Sequence, residues 1–162
     1  MGADIVVMQQ GPSSQPEGRE WLLEGVDSFA VEIRRAGGRP ALYMVWPSRG
    51  RPQDFDGTRE SYTMAASRTD GILFPAGEAW RAAWRRDPAL ELYGPDDLHP
   101  TPLGSYLVAL VIAAELSGRS PRDLPSTISV GQERSYTLTV PGPVATTLKD
   151  ASAEAIQRYG RH

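Results

Sequence analysis

His99 sits in the segment Tyr93-Gly94-Pro95-Asp96-Asp97-Leu98-His99-Pro100, three residues after Asp96 and two after Asp97. A carboxylate three residues upstream in a tight loop can accept the Nδ1–H of the imidazole. That contact fixes the tautomer, leaves Nε2 free as a base and stabilises the imidazolium formed when it takes a proton. Asp96 and His99 are therefore the candidate acid–base pair. The chain has 2 histidines; the other, His162, is the last residue, where chains fray. A plain alternative is a surface loop histidine bonded to its neighbour. Another is a metal site built from Asp96, Asp97 and His99, although no second histidine cluster supports it. With 0 cysteines, thiolate catalysis, disulfides and Cys-ligated zinc are excluded.

These residues need a scaffold, and 162 residues suffice for one domain with a real core. A net charge of −3 offers no electrostatic footprint for nucleic acid. The apolar stretch Tyr106–Ala114 is too short to span a bilayer, so no membrane partner is expected. Met1-Gly2-Ala3-Asp4 lacks the charged start and long apolar run of a secretion signal, and localisation stays open.

Ile5–Met8 is a short β-branched run, as in a strand buried on both faces. Gly11-Pro12-Ser13-Ser14 closes it as a loop. Glu17 to Ala36 carries Leu22, Val26, Phe29 and Ile33 at helical spacing and ends at Gly37-Gly38. Ala41–Trp46 reads as the next strand, followed by a polar loop to Gly57 and a helix over Thr58–Arg68. Ile72–Phe74 is a strand, and Glu78–Arg86 is a helix. Thr101 can cap a further helix, with Pro102 in its first turn and Leu103, Leu107, Leu110, Val111 and Ala114 facing inward. From Gly118 the chain is richer in Pro, Ser and Thr, and Val144–Tyr159 reads as a last helix. Strands alternating with helices argue for a parallel sheet with helices on both faces. Functional loops then cluster at the carboxyl ends of the strands, at Gln9–Ser14, Trp46–Gly57, Pro75–Gly77 and Asp96–His99.

The block Asp96-Asp97-Leu98-His99-Pro100-Thr101-Pro102-Leu103-Gly104 resembles the last conserved block of SGNH (GDSL-type) hydrolases, an Asp-x-x-His-Pro ahead of a Gly and an apolar helix. Val6-Val7-Met8-Gln9-Gln10-Gly11-Pro12-Ser13-Ser14 is similar to the third block of that family, a buried strand followed by an oxyanion loop. Ala41–Pro47 and Ile72–Trp80 are similar to the units between them. The order and spacing agree over roughly residues 4 to 117. The resemblance implies a three-layer α/β/α fold with a parallel, flavodoxin-like sheet, incomplete at the N-terminus. Residues 1–117 would form the partial hydrolase domain. Residues 118–162 would be an extension ending in a helix packed on the same domain. It further implies acyl transfer on a small-molecule or carbohydrate ester, often an acetyl ester, with no cofactor. His99 would act as base and then acid, Asp96 would orient it, and Gly11, Gln10 and Ser13 would serve the oxyanion.

The chain departs from the family in two places. It has no Gly-Asp-Ser, the segment that carries the nucleophile; Ser28 and Ser105 fall within helices and read as structural. The third block has Ser13 where the family has an Asn, and loss of one oxyanion donor can cost about 3 kcal/mol of transition-state stabilisation. The expectation is a truncated hydrolase whose strand Ile5–Met8 has lost its neighbour, leaving a flat apolar edge. The competing expectation is a non-catalytic carbohydrate-binding or interaction module, with Trp46, Trp80, Trp84 and Tyr93 offering stacking surface. Arg49 and Arg51 are candidates to meet an anionic substrate, or are plain solvated charges. Oligomeric state is not readable.

Overall fold

Three short apolar runs form one parallel sheet in the computed structural model, which describes residues 2–131 and 136–160. They are β1 (Ile5–Met8), β2 (Arg39–Tyr43) and β3 (Ile72–Phe74), in the order β1-β2-β3. Val7 pairs with Ala41 and Ala41 with Ile72, so the apolar centres of the strands are in register. Pro40 lacks an N–H, yet it stands in the middle strand. It is tolerated because β2 pairs with β3 only from Ala41 onward.

The connections β1–α1–β2 and β2–α2–β3 place α1 (Pro16–Arg35) and α2 (Phe55–Arg68) on one face. Leu22, Leu23 and Val26 of α1 and Tyr62, Ala65 and Ala66 of α2 pack there against Leu42 and Leu73. The other face carries α3 (Ala76–Arg86), α4 (Pro102–Ser117) and α5 (Gly142–Tyr159). Ala41, Ile72 and Phe74 meet Trp80, Leu107, Val111, Leu148 and Ala155 on this side. Neighbouring residues of one strand thus serve opposite cores, as the two-residue period of a strand requires. The result is an incomplete three-layer α/β/α arrangement in which β2 and β3 are buried on both faces. β1, expected to be buried on both, is only partly covered, with Val7 48% exposed, because no strand among the described residues flanks its other edge.

Several boundaries differ from those expected. β2 stops at Tyr43, and Met44–Trp46 leave the ladder although they stay buried. A 3₁₀ turn at Pro52–Asp54 runs directly into α2, which therefore starts earlier than Thr58. The polar tail contains an antiparallel pair, β4 (Thr127–Val130) and β5 (Tyr136–Thr139). Phe29 was expected on the inward face of its helix, but it is 64% exposed, while Ala30 takes an inward place. His162 lies outside the described residues. No helix among the described residues is long and apolar enough to cross a membrane.

Trp80 is fully buried and stacks on Trp46 with ring centroids 3.9 Å apart and an interplanar angle of 16°. Tyr93 meets the same indole edge-on at 4.9 Å. Trp80→Ala should cost about 3–5 kcal/mol in urea unfolding, and Trp80→Phe, which keeps an aromatic ring in place, clearly less. Equal losses for the two variants would show that the stack contributes little.

Candidate active site

The loop carrying His99 is built on the side chain of Asp96. One carboxylate oxygen accepts the backbone N–H groups of Leu98 at 3.1 Å and His99 at 2.9 Å. The other lies 2.5 Å from His99 Nδ1, which must donate, because a carboxylate can only accept. These bonds hold the Asp96 carboxyl down to about 2, the ring contact first and the two backbone donors after it. Asp97 adopts φ of 56°, which turns the chain so that these donors converge. Gly94 N donates to His99 O at 2.7 Å and closes the loop at its base.

Two neighbours clamp this loop. Arg49 Nε meets Asp97 at 2.9 Å, its backbone N–H donates to Asp97 O, and its guanidinium lies over the Tyr93 ring. Trp46 Nε1 donates to Leu98 O at 3.1 Å, and the Tyr93 hydroxyl donates to Pro47 O at 2.5 Å. Downstream, Thr101 caps α4 by accepting from Gly104 N at 3.1 Å. A Cβ at Gly104 would lie 2.5 Å from Leu92 O, so only glycine lets α4 start this close to the loop.

The Gln9–Gln15 loop is held from the opposite layer. The Tyr62 hydroxyl lies 2.5 Å from Gln10 O and 3.1 Å from Gly11 O, and it accepts from Gln10 N at 3.1 Å. Burial pushes the Tyr62 phenol well above its ordinary range, so it stays a donor. Ser61 Oγ lies 2.7 Å from Ser13 O. A Cβ at Gly57 would stand 2.5 Å from Ser14 O, so the helix meets this loop at a bare backbone.

The three loops meet around a cleft of about 340 Å³. Pro12 to Gln15 line it from the first loop, Pro47, Ser48 and Arg51 from the second, and Leu98 from the third. The cleft thus joins Ser13 to the residue beside His99. The side chains of His99 and Asp96 are 76% and 50% exposed, and of the His99 loop only Leu98 lines the cleft. His99 Nε2 and Gly11 N–H have no partner among the described residues. Gln10 is differently placed. Its amide donates to Ser13 Oγ at 2.9 Å and Gly18 O at 3.0 Å, so both of its hydrogens brace the loop. Ser13 donates its own hydroxyl to Gly11 O.

Other sequence candidates find structural partners. Ser28 Oγ donates to Glu24 O within its own helix, and Ser105 is exposed on α4. Arg49 is committed to the His99 loop, and Arg51 to Asp54 at 2.7 Å. Trp46, Trp80 and Tyr93 are buried, with Trp84 packed against them, so these rings offer no open stacking face. Among the described residues no group of three His, Asp or Glu side chains could hold a metal, and Asp97 is turned to Arg49. Tyr62, Ser61 and Gly57 had no signal in the sequence, because each acts through a long-range contact to backbone, and Trp46, read there as a stacking ring, serves instead through its Nε1 bond to Leu98 O.

No protein-family model and no curated protein matches the chain. Among solved structures, a "putative SGNH hydrolase" from Slackia heliotrinireducens is similar at 30% identity and a TM-score of 0.57, over 68% of this chain and 64% of that one. A DUF4886 family protein from Bacteroides uniformis superposes at a TM-score of 0.71 and 17% identity, over 95% of this chain and 62% of the neighbour. The chain has an SGNH hydrolase-like fold. It spans less than two thirds of the length of either neighbour.

The geometry sets a pH test. A carboxyl held low contributes stability above its ordinary value of 3.8, and loses that contribution as pH falls toward about 2. The Asp96 carboxyl, followed by NMR, should titrate near about 2 in the native chain. In His99→Ala it should rise only part of the way, since two backbone donors remain. An unchanged midpoint in that variant would deny the ring contact.

Proposed function

We propose that the chain carries the acid–base half of an SGNH-type ester hydrolase, working on a hydroxyl nucleophile that lies outside these 162 residues. The observation behind this reading is the 2.5 Å contact of His99 Nδ1 with Asp96, which leaves Nε2 without a partner among the described residues, one residue from Leu98, which lines the cleft. With Nδ1–H held by the carboxylate, the Nε2 lone pair takes the proton of the attacking hydroxyl as its oxygen bonds to the ester carbonyl carbon. The imidazolium then returns that proton to the departing alcohol oxygen as the ester C–O bond breaks, leaving an acyl ester on the nucleophile. Water, deprotonated by the same Nε2, releases the acid and restores the hydroxyl.

The Gly11 N–H is the oxyanion donor in this reading. The roles left to Gln10 and Ser13 are to hold its loop, given that their hydrogens are already committed. A cleft of about 340 Å³ is at the small end for ligand pockets, which suits a short acyl group such as acetyl. The alcohol portion, a sugar in the carbohydrate-esterase version, would lie on the open side by His99.

The test supplies the nucleophile. A strand-plus-Gly-Asp-Ser block from an SGNH relative is fused ahead of residue 1 and aryl acetates are assayed. The fusion is expected to turn over substrate, with His99→Ala and Asp96→Asn each lowering kcat by about 10³-fold or more. Turnover that survives His99→Ala sinks the proposal.

A further inference from the structure

α3 and α5 pack along each other, and basic side chains from their last turns gather on one carboxylate. One oxygen of Glu154 meets Arg85 Nη2 at 2.8 Å and Arg158 Nη1 at 3.4 Å, and the other meets Arg86 Nη1 at 2.6 Å. Burial would raise the Glu154 carboxyl, but Arg86 and Arg85 hold it below its ordinary value, so it stays charged. Arg86 is fixed a second time, where Nη1 donates to Ala82 O at 3.1 Å. Beside this group the 3₁₀ turn Pro121–Asp123 brings Arg122, whose Nε donates to Asp150 at 2.7 Å.

These pairings do not balance. Four guanidiniums share two carboxylates, which leaves two positive charges over in a chain whose net charge is −3. A guanidinium has several N–H donors in a fixed fork, and the carboxylates take one nitrogen of each, so most of these donors are unspent. Arg86, Arg122 and Arg158 line one hollow of about 490 Å³ together with Ser120 and Gln157, whose hydroxyl and amide can also donate. Glu154 and Asp150 thus orient the arginines in advance, and an anion relieves the repulsion among them. The guanidinium fork matches the oxygens of a phosphate. Among the described residues that line the hollow there is no aromatic ring to stack a base. Its larger apolar members, Pro121 and Ile156, are buried, so nothing there would enter a membrane.

We infer that this hollow binds a phosphate-bearing small molecule. Arg86 stands at the far end of α3 from Ala76, about 15 Å along the helix from the loop after β3, so the site is separate from the cleft by Leu98. α3, α5 and the 3₁₀ turn pack chiefly on one another and on α4. The inference therefore depends neither on the hydrolase reading nor on the open flank of β1.

Inorganic phosphate and pyrophosphate, titrated into the ¹⁵N-labelled whole chain at low salt, test it by NMR. Saturable shifts are expected at Ser120 and Arg122 and along the last turns of α3 and α5, with pyrophosphate the tighter of the two and both weakened by added sodium chloride. Arg122→Gln and Arg158→Gln, at side chains 62% and 61% exposed and so harmless to the fold, should each weaken pyrophosphate by about threefold or more. Asp150→Asn removes a competing carboxylate and should tighten it by about twofold or more, a gain that a purely structural ion pair would not give. Absence of saturable shifts in the hollow overturns the proposal. So does binding that ignores both arginine variants, or that weakens in Asp150→Asn.

Discussion

The stack of Trp46 on Trp80, with Tyr93 against its edge, ties together three parts of the chain that nothing else joins so directly. Trp46 follows the central strand, Trp80 lies on α3, and Tyr93 opens the loop that ends at His99. Each such ring pair adds about 0.5–1.5 kcal/mol beyond its burial. The polar ends of two of the rings then point outward to the loops. Trp46 reaches the Leu98 carbonyl, and Tyr93 reaches the Pro47 carbonyl. One aromatic cluster therefore closes the core and sets the height of the His99 loop above the sheet.

Upon that base the loop organises itself. Asp96 spends both of its oxygens on donors within three residues, and Arg49 neutralises the neighbouring Asp97 from another loop. The arrangement places the imidazole without burying it. Its orientation comes from a short-range carboxylate rather than from packing, so an exposed histidine can still keep a fixed tautomer. The Arg49 ion pair alone, exposed to solvent, is a minor contribution. Its value is geometric, since guanidinium, backbone N–H and the Tyr93 face all act on the same turn.

Local patterns in the sequence foretold much of this. The Asp96–His99 contact, the Thr101 cap with Pro102 behind it, and the strands at Ile5–Met8 and Ile72–Phe74 all depend on near neighbours. What was missed depends on distance. Phe29 belongs to the apolar period of α1, yet its exposure is decided by whether a strand lies beneath that flank, and none does among the described residues. Gln10 reads as a free amide until Gly18, a turn into the next helix, takes one of its hydrogens. Tyr62 reads as a core aromatic, and it is one, but its hydroxyl holds a loop 52 residues away. The Thr- and Ser-rich tail reads as irregular because the β4–β5 pair sets one apolar pair, Ile128 and Leu138, against the core and is otherwise stitched by cross-strand hydroxyls.

The two halves of the candidate site hang from different cores. The His99 loop is fastened to the layer of α3, α4 and α5, whereas the Gln9–Gln15 loop is fastened through Tyr62, Ser61 and Gly57 to the layer of α1 and α2. Between them stand three short strands and the loop that follows β2. Because packed layers shift as units and do not deform continuously, the spacing of the loops around the cleft follows how the two layers seat on the sheet. The close approach of Gly77 to Val45, where a Cβ would stand 2.2 Å from the carbonyl, locks the second layer to the end of that strand. The width of the cleft is thus a property of the sheet, and the chemistry of each rim is a property of the layer that carries it.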